Sequence, residues 1–110
     1  MMSAKDLNTL FAAVHAAEFP AQSILRLRPD LQPHAVVILD GSPPQERVCS
    51  LNIHARKRGI VHGMTRLEVE ELNGIQILSR SLETERGTWR DFSAVVTALL
   101  RPAPLAANPS

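Results

Sequence analysis

Four of the twelve Lys and Arg residues fall within residues 47–64: Arg47, Arg56, Lys57 and Arg58. Arginine suits a phosphate oxyanion because its planar fork donates two parallel hydrogen bonds, while lysine adds a point charge. A run of this kind could grip a phosphate or the backbone of a nucleic acid. The same residues also suit the last turn of a short helix, where cations face the unsatisfied carbonyls. The pattern alone leaves both readings open.

Few other residues offer chemistry. His15 could ligate a metal, but no second ligand is spaced for it, and His34, His54 and His62 are too scattered to form a zinc set. Cys49 has no base beside it in sequence and reads as a small core residue. Trp89 could stack on a base, yet its spacing puts it on the apolar face of a helix. The nucleophile-elbow, phosphate-loop and dinucleotide-loop patterns are absent.

The chain of 110 residues is long enough for one modest core. Its net charge of +1 means that any basic partner site must come from local clustering. One cysteine cannot form an internal disulfide, which fits a reducing cytoplasm. The first residues carry an acid and no sustained apolar stretch, so no secretion signal is expected, and no run approaches the ~20 residues of a membrane span.

The elements that would position these side chains can be read in order. An apolar run over residues 10–15 reads as a buried strand, with Ala12 and Ala13 arguing for a helix. Pro20 suits the first turn of a helix that Ile24, Leu25 and Leu27 make one-sided and that stops before Pro29. AVVIL at residues 35–39 predicts a strand buried on both faces. A turn at residues 40–44 leads to a return strand over residues 47–51, with Val48 and Cys49 as core candidates. Asn52 is the expected cap of a short helix ending at a left-handed Gly59. Thr65 and Glu68 form a capping box for a helix reaching Leu72, and residues 75–78 form a short strand. Ser81 caps a final helix whose Leu82, Trp89, Phe92, Val96 and Leu99 share one face. Gly87 weakens that helix by roughly 1 kcal/mol. The sum is an α+β domain over residues 1–101, a small mixed or antiparallel sheet with helices packed on one face. Residues 102–110, with three prolines, read as a disordered tail.

Three stretches resemble the N-terminal region of Y-family (UmuC/DinB-type) translesion DNA polymerases. They are VHAAEFPAQ at residues 14–22 with the LRLRPDL that follows, ERVCS at residues 46–50, and ARKRGIVHGMT at residues 55–65. The similarity is greatest to the ImuB type, the polymerase-like member of a bacterial mutagenesis cassette, and covers residues 9–100. The resemblance implies a palm-and-fingers fragment. In active members the first strand ends in D-x-D-x-F-F/Y, and its aspartates join a two-metal site, because hard anionic oxygens can bridge Mg²⁺ ions. Here His15 and Ala17 stand at those positions, Phe19 at the first aromatic and Pro20 at the steric gate. Imidazole is a poor Mg²⁺ ligand and alanine is none. Glu18 is close by, but on an extended segment it would point away from the Ala17 side.

A second family pattern, S-Y-E-A-R-K-x-G-V-x-x-G-M, supplies a tyrosine and an arginine to the nucleotide triphosphate. Ile53 replaces the tyrosine, His54 the glutamate, and Arg56 keeps the arginine. The S-x-D-E motif that brings the remaining carboxylate would fall beyond Ser110, so the resemblance implies a truncated form. It therefore implies a protein of translesion synthesis and damage-induced (SOS) mutagenesis that is not an enzyme. No metal and no cofactor are expected. Arg56, with Lys57 and Arg47, forms the expected nucleotide- or phosphate-binding set. The expected partners are the DNA backbone and proteins of the translesion polymerase complex, with no membrane. The alternatives are a non-functional remnant of a truncated gene, or a fragment that docks on a polymerase complex. The oligomeric state stays open, since an unpaired sheet edge could take a second copy.

Overall fold

Alternation along one apolar strand determines how the layers stack. The computed structural model describes residues 3–15 and 18–100, with residues 10–15 described in backbone only. Its elements are α1 (Ala4–His15), α2 (Phe19–Leu27), a 3₁₀ turn (Pro29–Leu31), β1 (Ala35–Asp40), β2 (Arg47–Leu51), α3 (Ile53–Lys57), α4 (Arg66–Glu70), β3 (Ile75–Ser79) and α5 (Leu82–Leu100). The sheet order is β2-β1-β3. β1 pairs antiparallel with β2 and parallel with β3, so the sheet is mixed.

β1 is buried from Ala35 to Leu39. Because successive side chains alternate, Ala35, Val37 and Leu39 face one way and Val36 and Ile38 the other. The first set packs with Val48, Leu51, Ala55 of α3, Ile60 and Val69 of α4. The second packs with Ala21 and Leu25 of α2 and with Leu31. Helices therefore cover both faces, where the sequence reading placed them on one. The physical reason is the uninterrupted apolar run: both of its faces must leave water.

Several local expectations hold. Asn52 caps α3 by accepting from the Ala55 N–H at 3.0 Å, and its Oδ1 also takes the Val36 N–H at 3.0 Å. That second bond locks the helix start to β1. Thr65 and Glu68 form the reciprocal capping box of α4. α4 stops at Glu70, short of the expected Leu72. Gly59 has a positive φ of +91° just past α3. Gly41 opens the β1–β2 turn at φ +104°, and an added Cβ would meet the Gln45 carbonyl oxygen at 3.2 Å. Only glycine takes that corner without strain.

Residues 10–15, read as a strand, lie in the helix α1. The reason is a start signal that outweighs the apolar run. The Ser3 hydroxyl accepts from the Asp6 N–H at 3.1 Å, and the Asp6 carboxylate accepts from the Ser3 N–H at 3.3 Å. This reciprocal cap supplies the costly first turn, and alanine and leucine then propagate it. The tail, residues 102–110, lies outside the described residues.

α5 departs further from expectation. Phe92 is buried, but Leu82, Trp89 and Leu99 are 57%, 51% and 68% exposed. Its main neighbour is α2, to which it is tied by an Arg26–Asp91 ion pair at 2.6 Å. α5 has 19 residues and α2 has 9. At ~1.5 Å per residue the shorter helix covers less than half of the longer one.

Ile38 is fully buried and Leu67 is 71% exposed. Ile38→Ala is expected to lower the unfolding free energy by ~2–5 kcal/mol, and Leu67→Ala by less than ~0.5 kcal/mol. Urea denaturation followed by circular dichroism distinguishes the two.

Candidate functional site

Arg56 is engaged from within the protein. Glu18 is the N-cap residue of α2, with φ −102° and ψ 20°, and it is buried. The segment is therefore not extended at Glu18, and its carboxylate turns inward to β2 and α3. Oε1 accepts from the Ser50 hydroxyl at 2.9 Å and from the Leu51 N–H at 2.8 Å. Oε2 takes Arg56 Nη2 at 2.7 Å and lies 2.9 Å from His62 Nε2. Ser50 Oγ in turn accepts the Ala21 N–H at 3.0 Å. One carboxylate thus joins the start of α2, the end of β2, α3 and the loop before α4.

This geometry has two parts with different energetics. The Ser50 and Leu51 bonds are buried, so losing their acceptor strands polar groups away from water. Arg56 is 53% exposed, so its attraction to Glu18 is screened like a surface pair. Chemically the arrangement is an anion site whose anion is built in. Arg56 has one arm of its fork occupied and its charge offset.

The other cations of residues 47–64 do not converge on it. Arg58 Nη2 donates to the Asn73 carbonyl at 2.8 Å and braces the loop before β3. Lys57 is exposed and makes no ion pair among the described residues. Arg47 starts β2, whereas Arg56 lies in α3 beyond the strand's other end. Arg47 instead lies close enough to Glu68 to help hold that carboxyl below the ordinary 4.5, after the larger effect of the Thr65 hydrogen bonds. His15 ends α1 with its side chain outside the described residues, and Ala17 lies outside them altogether. No group of three or more metal-capable side chains occurs among the described residues.

A scan against protein-family models matches the impB/mucB/samB family over residues 14–104. The chain belongs to that family. Among solved structures it is similar to a Y-family DNA polymerase chimera of Dbh and Dpo4, with a TM-score of 0.58 and 21% identity. That match covers 76% of this chain and 24% of the chimera, so the chain spans about a quarter of the polymerase's length. A search of curated proteins found no match. The shared fold is that of a Y-family polymerase fragment. Among the described residues no helix is long and apolar enough to cross a membrane.

Within this impB/mucB/samB domain, three features escaped the sequence reading. Glu18 and His62 are brought together from segments far apart, and no local spacing announces them. Arg80 forms a second hub, donating from Nε and Nη2 to both Glu85 oxygens at 2.9 and 3.0 Å and from Nη1 to Asp40 at 3.0 Å. These bonds, Glu85 first, hold the guanidinium charge firmly in place. Cys49, expected in the core, is only partly buried beside α2. Burial still raises its thiol above the ordinary 9.0, with Arg80 pulling the other way.

Two outcomes follow from this geometry. Glu18→Ala is expected to destabilise the fold by ~2–4 kcal/mol through the stranded Ser50 and Leu51 donors. Arg56→Ala should cost less than ~1 kcal/mol, because its half of the pair is screened. Equal losses on thermal unfolding would contradict that division. Alkylation of native Cys49 by iodoacetamide should be slower than that of the unfolded chain at neutral pH. Its rate should climb only above the usual thiol range, since the thiolate is the reactive form.

Proposed function

We propose that this chain is a non-catalytic Y-family polymerase-like domain of translesion DNA repair in the cytoplasm, working through contacts with proteins of the polymerase complex and holding DNA weakly at most. The observation that carries this reading is the Glu18–Arg56 pair. Arg56 stands at the family position that grips the triphosphate, and a carboxylate of the same chain already occupies one arm of it. At the positions where the family carries metal-binding aspartates the sequence has His15 and Ala17. Neither side chain can bridge two Mg²⁺ ions in place of a carboxylate.

Lys57 and Arg47 remain candidates for contact with a DNA backbone, each as an isolated surface charge rather than part of a shared site. Two scattered contacts give weak binding that salt displaces, with a shallow salt slope. The exposed apolar side chains of α5 favour the protein-contact half of the proposal, because large apolar groups clustered on a surface mark interaction sites more often than solvent faces.

The test is a primer–template extension assay with Mg²⁺ or Mn²⁺, run beside a calorimetric titration with deoxynucleoside triphosphate. No extension above background and no saturable nucleotide binding are expected. Template-directed extension that Arg56→Ala abolishes would overturn the proposal. In an anisotropy titration with labelled primer–template, any binding at low salt should vanish as salt is raised.

A further inference from the structure

Phe19, Leu82 and Trp89 line an open groove of about 640 Å³ between the start of α2 and the first half of α5. Trp89 meets Phe19 edge-on, with centroids 6.1 Å apart and planes at 86°, and lies 5.6 Å from Phe92. Those two ring contacts hold the indole in one orientation although half of it faces solvent. A preset aromatic surface loses little freedom when something settles on it. The groove is thus apolar and open.

Its charge is one-sided. Arg86 and Arg90 lie one helical turn apart on α5, line the same groove and are exposed. Neither makes an ion pair among the described residues. Arg26, Arg28, Arg56, Arg66 and Arg80 all face carboxylates. Glu85 also lines the groove, but both of its oxygens are committed to Arg80. The free charge around the indole is therefore positive. Arginine beside exposed tryptophan is also the composition of interface hot spots.

Resting on the protein-contact reading above, we infer that this groove docks an acidic amphipathic segment of a partner protein. Apolar side chains of that segment fill the space between Phe19, Leu82 and Trp89, and its carboxylates meet Arg86 and Arg90. A single-stranded nucleic acid would also stack on an aromatic ring near arginines. The lining favours the peptide. Leu82 offers no stacking plane, and one exposed indole gives no platform for successive bases.

Trp89 is the chain's one tryptophan, so its emission reports on the groove directly. The probe is a synthetic amphipathic helical peptide with leucines at helical spacing and two glutamates one turn apart. Controls are the same peptide with glutamine for glutamate and a mixed-sequence single-stranded oligodeoxynucleotide. Saturable change in Trp89 emission is expected with the acidic peptide. Affinity should fall about tenfold or more in the R86E/R90E double variant, and about tenfold or more in Leu82→Ser. All three positions are exposed, and circular dichroism should show the fold unchanged. Equal affinity for the glutamine peptide, no loss in the double variant, or tighter binding of the oligonucleotide would each overturn the inference. So would an emission change on concentrating the chain alone, which would make a second copy the occupant. Primer extension reads the catalytic question separately. A failed peptide titration with no extension leaves the non-catalytic reading in place, and extension with successful docking removes that reading alone.

Discussion

The buried carboxylate of Glu18 is the interaction on which the rest of the site depends. It satisfies a backbone N–H at the end of β2 and a serine hydroxyl that itself holds the start of α2. Its second oxygen then holds Arg56 and lies 2.9 Å from His62 Nε2. Burying a carboxylate is unfavourable unless its oxygens find donors, and here both oxygens find them. The same requirement that secures the corner also engages one arm of the Arg56 guanidinium.

Arg80 repeats the logic near the start of α5. Its fork reaches Glu85 and Asp40, and its backbone N–H reaches the Leu39 carbonyl at 2.9 Å. The two hubs tie the start of α2 to the end of β2 and the start of α5 to the end of β1. Glu85 of the second hub and Phe19 beside the first both line the groove.

Short-range physics was legible in the residues. AVVIL announced β1, Asn52 and Gly59 bracketed α3, and Thr65 with Glu68 capped α4, because each signal acts within a few positions. The Ser3–Asp6 cap was equally local and was missed, as the apolar run after it drew the reading toward a strand. Family resemblance placed Arg56 within a polymerase-like lobe. What no local pattern could supply was pairing across the chain: Glu18 with Arg56 and His62, or Arg80 with Asp40. The exposure of Trp89 was hidden for another reason. A helix's periodicity says which side is apolar, but only the length of its neighbour decides how much of that side is covered.

The mixed sheet also constrains how the domain assembles. β1 and β2 adjoin through a short turn, so their hairpin closes a small loop at modest entropic expense. β3 is different: it must return parallel to β1 across the whole of α3 and α4. That crossover is a long loop, and its closure is rewarded only once Ala55, Ile60 and Val69 have found β1. By loop length, the parallel β1–β3 pairing is expected to form after the β1–β2 hairpin. The entropic demand of this fold therefore lies less in the groove than in the long crossover that brings β3 to the edge of β1.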